Sequence, residues 1–466
     1  MSNFDKIQTR EAGLHKKLTA KQMGMIAIGG AIGTGLFMGS KFAISFAGPA
    51  VILSYAIGGL IAFALMACLA EMTVQHPTSG SFGAYAEHYI NPLSGFLVRY
   101  SYWACIVLAV GTEITAVADY MKLWFPHVGS GIWIVFFSTV LLAVNAYSVK
   151  AFGLVEYWFS TIKVFAIIVF ILLAIGILTQ DPNPHQALTH NLTAHDGFMP
   201  NGFKGVWIGV IISIFSYLSI EMIAVAAGEA NDPEKAVKYA FKSTAIRLFL
   251  FYLLSLSLIV TLVPWTQLIA PGATSPFVSV MQIVGIPFAD HILNFIVIVA
   301  ALSAMNSMLY ISTRMLFSLS RSGDAPKLFG KIRKNGVPIN ALLLSATGIA
   351  VASIVYSINP ESAFPIMIAL SMFGALFTWG AIFATHYFFR KNLAKNNIHL
   401  KYSIPGSRYI SFSGLFAILA ITLTTWFTQE FKSTLQFGVP FIVMLIIFYQ
   451  MKKSSLKHQL TENEQA

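Results

Sequence analysis

Ala27-Ile28-Gly29-Gly30-Ala31-Ile32-Gly33-Thr34-Gly35-Leu36-Phe37 sets four glycines within seven residues, in the middle of an apolar run. Each glycine in a helix interior costs roughly 1 kcal/mol relative to alanine. A helix that keeps four of them at one level reads as built to break there. An unwound turn at membrane depth frees amides and carbonyls, and the N-terminus of the half-helix that follows favours an anion such as a carboxylate. Close packing through small residues is the competing reading. The density of the glycines, with polar Thr34 between two of them, favours the break.

The rest of the chain places that break in a bilayer. Of 466 residues, 56% are hydrophobic and 11% charged, against roughly 25% charged in a soluble domain. Mean hydropathy is +0.71. Apolar runs of about 20 residues, the length that crosses ~30 Å of hydrocarbon, number twelve. They lie near 21–43, 49–75, 96–121, 131–148, 155–179, 203–228, 244–266, 277–311, 339–357, 364–389, 409–428 and 434–451. Met1 to Ala20 is polar and of mixed charge, so no cleavable signal peptide is expected. Cys68 and Cys105 fall inside apolar segments, which argues against a disulfide framework.

A net charge of +11 is better explained by topology than by nucleic acid. Twelve spans put both ends on one side, and 23 of the 30 lysines and arginines lie on that side. The positive-inside rule makes it cytoplasmic. The longest loop on the other side, Gln180 to Phe203, carries His185, His190 and His195 at five-residue spacing. With no cysteine nearby and only Asp181 and Asp196 as carboxylates, it reads as a solvated loop rather than a metal site. Asn191-Leu192-Thr193 is a formal glycosylation sequon.

Lys163 is the one charge in the apolar stretch Trp158 to Leu178. A lysine at the centre of a span costs ~2.5–3.5 kcal/mol on insertion scales, and it lies too deep in its span for snorkelling. A coupling or gating role is the favoured reading. A second break is expected in the sixth span, where Phe215-Ser216-Tyr217-Leu218-Ser219-Ile220-Glu221 clusters hydroxyls and a carboxylate. It opens the second set of five spans as the glycine cluster opens the first, which is the positional signature of an inverted repeat. Glu221 is read first as a hydrogen-bonding tie between the broken helix and a neighbour, and second as a direct substrate contact.

These residues carry a resemblance. Ile28 to Phe37 resembles the first-helix signature of the amino acid–polyamine–organocation superfamily, in particular its bacterial amino acid permease branch. Glu71 with His76-Pro77-Thr78-Ser79-Gly80-Ser81-Phe82 resembles the segment after that branch's second helix. Glu156-Tyr157-Trp158-Phe159-Ser160-Thr161-Ile162-Lys163-Val164 resembles its fifth helix, and Ala226 to Pro233 the end of its sixth. Ser312-Thr313-Arg314-Met315-Leu316 with Gly336-Val337-Pro338 resembles its eighth helix and the following loop. The resemblance covers roughly residues 15 to 455.

The resemblance implies an all-α polytopic membrane protein of the leucine-transporter type, with five plus five inverted helices and two more. The pieces would be a cytoplasmic tail at 1–20, a first repeat at 21–180, a second at 203–391, a last helix pair at 408–452 and a cytoplasmic tail at 453–466. It implies that amides of Gly33, Thr34 and Gly35 hold a substrate α-carboxylate. Carbonyls near Ala31, Ile32, Phe215 and Leu218 would hold the α-ammonium. Lys163 would take the place that sodium occupies in sodium-coupled relatives. The family's sixth helix commonly reads Gly-Thr-Glu where this chain has Ser219-Ile220-Glu221.

A buried ammonium loses its proton readily, which suits Lys163 to proton coupling. Protonated, it would bond carbonyls of the first span and groups of the eighth, where Ser303, Asn306 and Ser307 are the candidates. Glu113 is the carboxylate of the third span. Glu113, Glu221 and Lys163 form no recognised catalytic set, so an enzyme is disfavoured. The expected function is secondary active import of an α-amino acid with a proton across the plasma membrane, with no cofactor. Ser219 adds volume and a hydroxyl beside the pocket, which favours a neutral side chain. An exchanger, a cationic amino acid or γ-aminobutyrate permease, and a transporter-like sensor are the alternatives.

Overall fold

A computed structural model describes residues 3–11, 14, 22, 25, 32–180, 184–230, 232–270, 275–285 and 287–465. Among them every regular element is a helix. Of the first break, Ala27 to Ala31 lie outside the described residues.

The helices in chain order are α1 (Asn3–Arg10), α2 (Thr34–Phe37), α3 (Gly39–Ala47), α4 (Val51–Gln75), α5 (Ser81–Tyr89), α6 (Pro92–Met121) and α7 (Ser130–Tyr147). They continue as α8 (Val149–Gln180), α9 (Pro184–Thr193), α10 (Gly202–Ser216), α11 (Met222–Ala226), α12 (Pro233–Arg247), α13 (Ser255–Leu262) and α14 (Trp265–Leu268). The last are α15 (Pro276–Val284), α16 (Ala289–Arg321), α17 (Ile339–Ser345), α18 (Thr347–Ile358), α19 (Pro360–Lys395), α20 (Ser407–Thr425) and α21 (Lys432–Gln465). Among the described residues, eight helical stretches are long and apolar enough to cross a membrane, and three shorter apolar ones accompany them at 202–216, 249–262 and 409–425. The chain is a multi-pass membrane protein.

Burial sorts these helices into a centre and a rim. α16 is buried along nearly its whole length and packs most extensively on α6, which also carries α19. The rim helices turn large apolar side chains outward: Ile132, Val135 and Phe136 on α7, Phe165 and Leu172 on α8, Phe416 and Leu423 on α20. A belt of that size is what acyl chains cover.

Two expectations are corrected. The apolar run 277–311 is not one span: Gly285 closes α15 in the left-handed region (φ 77°), and α16 starts afresh at Ala289. Glycine adopts that conformation at no cost, and hydropathy does not register it. The histidine-bearing loop is not all loop either, because Pro184–Thr193 is helical and Asn191 Nδ2 donates to Thr261 O at 2.7 Å. His190 and His195 are exposed, and the side chain of His185 lies outside the described residues.

Buried carboxylates tie the loops to the bundle, each satisfied by several donors as burial of a charge requires. Glu11 accepts from Thr78 Oγ1 (2.6 Å), Gly80 N (2.7 Å) and Ser318 Oγ (2.6 Å). Arg10 and Arg99 both pair with Glu87, so Arg10 and Glu11 at the end of α1 are pinned across α5, α6 and α16. Although burial would raise the Glu87 carboxyl, these two guanidiniums hold it below the usual carboxylate range. Glu71 accepts from His386 (2.8 Å), Arg390 (2.8 Å) and Ile404 N (2.7 Å). Arg314 and Tyr310 converge on Glu229 at 2.8 and 2.7 Å.

Candidate functional site

The first break delivers backbone groups to the protein centre. Gly33 is extended (φ −131°, ψ −158°) and α2 is a single turn, so the chain passes from open backbone to helix at Thr34. The open side is held by Lys163, wholly buried on α8, whose Nζ donates to Ile32 O at 2.8 Å. The helical side is held by Glu113 of α6. It accepts from Thr34 N–H at 3.2 Å and from Thr34 Oγ1 at 2.9 Å. A Cβ at Gly33 would meet Glu113 Oε1 at 2.9 Å and Ala304 Cβ at 2.8 Å, so glycine is what lets α6 and α16 close on the break.

The second break lies against the first. α10 stops at Ser216 and helix resumes at Met222, with Phe215 and Leu218 buried on either side. Ser216 Oγ donates to Gly35 O at 2.6 Å, so the two interrupted chains cross at these residues. Three tyrosines clamp the crossing. Tyr55 OH bonds Ser216 Oγ at 2.8 Å, Tyr217 OH donates to Tyr55 O at 2.8 Å, and Tyr252 OH donates to Ser216 O at 2.8 Å. Tyr252 sits on a π-helical turn, Leu248–Leu254, a distortion common at functional sites.

Ser219 occupies the left-handed region (φ 77°), is buried, and its hydroxyl has no hydrogen-bond partner among the described residues. A non-glycine residue there is held by its surroundings at a cost. Two residues on, Glu221 Oε1 accepts from Ser219 N (3.1 Å) and from Tyr102 OH of α6 (2.6 Å), which binds the turn to its neighbour.

On α16, Ser303 Oγ and Asn306 Nδ2 donate to Glu156, at 2.5 and 3.0 Å, and Ser307 is buried one residue on. Sequence reasoning assigned this polar patch to Lys163 and left Glu156 out of the site. Glu156 lies outside the apolar stretch that drew attention to Lys163, yet it shares a helix face with it. Residues 156, 160 and 163 stand at i, i+4 and i+7, the spacing of one face, and all three are fully buried. Tyr55, Tyr102 and Tyr252 were also missed, since a tyrosine in an apolar helix looks like core.

The described site thus brings Ile32, Gly33, Thr34 and Gly35 together with Lys163 and Glu113, and Ser216 with Gly35. Lys163 feels the charges of both Glu156 and Glu113, and with water excluded such interactions are strong. Backbone groups of both polarities, held by a lysine and a carboxylate that a substrate's own charged groups could replace, are what a zwitterion needs.

Known proteins resemble this chain along most of its length. The amino acid permease family model matches residues 22–462. The aromatic amino acid transport protein AroP of Escherichia coli K12 is 37% identical over 415 residues, 88% of this chain and 90% of its own. The probable threonine/serine transporter YbxG of Bacillus subtilis is 36% identical over 457 residues, 97% and 98% of the two chains. The uncharacterized amino acid permease YtnA of the same organism is 35% identical over 447 residues, 95% and 96%.

Proposed function

Because this chain belongs to the amino acid permease family, a family of transporters and not enzymes, we propose that it imports a neutral α-amino acid together with a proton, by alternating access across the plasma membrane. The observation that carries the reading is the bond from Lys163 Nζ to Ile32 O, 2.8 Å long, at the open side of the first break. Protonated, Lys163 ties that break to α8. Deprotonated, it loses the charge that holds the backbone carbonyl, and the break is released. One charge moved across 100 mV is worth ~2.3 kcal/mol, enough for roughly 50-fold accumulation of a neutral solute.

The substrate carboxylate goes to amides of Gly33, Thr34 and Gly35, and the ammonium to carbonyls at Ala31, Ile32, Phe215 and Leu218. Thr34 N–H is held by Glu113 at 3.2 Å, so an arriving carboxylate displaces Glu113 and makes substrate binding and carboxylate release one event. Ser219 and Glu221 border the side-chain pocket. AroP as an aromatic amino acid transport protein and YbxG as a probable threonine/serine transporter support a neutral substrate, and Ser219 favours one of small to medium size. The architecture that serves this function is twelve spans, with a repeat at 21–180, its inverted counterpart at 203–391, two helices at 408–452, and both tails, 1–20 and 453–466, in the cytoplasm.

The test uses purified protein in liposomes, with whichever of the twenty standard L-amino acids most stabilises the wild type against heat. Lys163→Ala still gains thermal stability from that amino acid but loses uptake driven by an imposed pH gradient. Gradient-driven uptake at the wild-type rate would remove Lys163 from coupling, and absence of stabilisation by all twenty would sink the substrate class.

A further inference from the structure

The polar side chains around α8 form a line. Lys163 meets the first break at Ile32 O, Ser160 Oγ donates to Glu156 Oε1 at 3.3 Å, and Asn306 Nδ2 donates to Glu156 Oε2 at 3.0 Å. Behind Asn306, Asn145 Nδ2 donates to its Oδ1 at 2.8 Å. Asn145 lies near the end of α7, where Asn335 of the 322–338 loop caps the Ala146 and Tyr147 carbonyls at 2.9 and 2.8 Å. By the charge distribution of the loops, that end faces the cytoplasm. The line therefore runs from the substrate site toward the inside of the cell.

Glu156 is the unusual member. It is wholly buried, and among the described residues the donors its oxygens receive, Ser160, Ser303 and Asn306, are neutral. A buried carboxylate held only by neutral donors is costly as an anion, unless a nearby cation offsets it. Lys163, two turns further along the same helix face, is that cation, and it also feels the charge of Glu113. Ser160 stands between them, three residues from Lys163 and four from Glu156. Those separations bring side chains on a helix surface within about 5–6 Å at Cβ.

We propose that Glu156 receives the coupled proton from Lys163 through the Ser160 hydroxyl and releases it on the cytoplasmic side. This rests on the reading of Lys163 as the coupling residue. In the step, the Lys163 ammonium gives one proton to Ser160 Oγ while Ser160 gives its own hydroxyl proton to Glu156 Oε1. One N–H and one O–H bond break and two O–H bonds form. An ion pair becomes a neutral amine and a neutral carboxylic acid, which removes two charges from a dry site. Ser303 and Asn306 hold the carboxyl in place, and it loses the proton to water once the cytoplasmic side opens.

The test compares two rates in the same liposomes: accumulation driven by a pH gradient, and counterflow exchange of the same amino acid without one. Exchange needs binding and helix movement but no net proton transfer. In Glu156→Gln the ratio of accumulation to exchange falls about tenfold or more, the scale of losing one proton-transfer group. Ser160→Ala, which keeps the carboxylate, lowers the ratio as well and decides the matter should Glu156→Gln fail to fold. Wild-type ratios in the variants that fold would overturn the relay. Lys163→Ala run beside them separates the two ideas. A wild-type ratio there removes the coupling reading itself, whereas a fall in Lys163→Ala alone removes only Glu156.

Discussion

Replacing Gly35 by alanine probes the crossing of the two broken helices with one methyl group. Its Cβ would stand 2.6 Å from Ser216 Cα, 3.2 Å from Ser216 N and 3.3 Å from Ser216 Cβ. Carbon atoms prefer about 3.5–4.0 Å, so the two chains must separate by roughly an ångström. The obstacle is backbone, which no rotamer change removes, and overpacking of this kind costs ~1–3 kcal/mol. Separation also stretches the bond from Ser216 Oγ to Gly35 O, 2.6 Å long, worth ~0.5–1.5 kcal/mol. Together these come to about 2–4 kcal/mol, or about 30- to 1,000-fold in Kd if it falls on binding. One turn on, Gly39 is the control. A Cβ there meets Ser216 Oγ at 3.5 Å, Thr34 O at 3.8 Å and Ile212 Cγ2 at 3.9 Å, all ordinary contacts. Gly39→Ala is therefore expected to stabilise the protein by ~0.5–1 kcal/mol. The assay is thermal unfolding with and without the best-stabilising L-amino acid, followed by titration of that amino acid. Wild-type affinity in Gly35→Ala, or an equal loss in Gly39→Ala, would refute the crossing as the origin of the glycine requirement.

Ser219→Gly relieves a residue at φ 77° and deletes a buried, unpartnered hydroxyl. It is expected to raise stability by about 1 kcal/mol or more and to widen competition for uptake toward larger side chains; a lower melting temperature with an unchanged substrate range would contradict both. His76 gives a pH signature: burial first, then repulsion by His88 and Lys401 against the pull of Asp5, lowers its pKa from 6.5 to about 4. The unfolded chain takes up that proton first, so this contribution is intact above pH 6.5 and is lost as pH falls toward 4. His76→Gln should flatten the fall of melting temperature between those values, and an unaltered slope would show that other groups set it.

Much of this protein is written in one-dimensional pattern. The apolar runs mark most of its helices, because burial in lipid demands an unbroken apolar stretch and internal hydrogen bonding whatever the neighbours are. The glycine cluster marks the first break, since a helix penalty is local to its residues. Lys163 stands out because a charge in hydrocarbon is costly on any fold. Partnership is different. That Thr34 faces Glu113, that Ser216 meets Gly35 and that Ser303 and Asn306 serve Glu156 are contacts across separations of 79, 181, 147 and 150 residues. Composition and spacing carry no signal for such pairs. Helix rotation and depth decide them, and these follow from how α6, α8, α10 and α16 pack around one another. The division of 277–311 into α15 and α16 belongs with them, since the turn at Gly285 leaves the apolar run unbroken. Glu156 shows the boundary well: its type and its spacing from Lys163 were legible in the chain, but only packing against α16 revealed that Ser303 and Asn306 donate to it, which is the ground of the proposed relay.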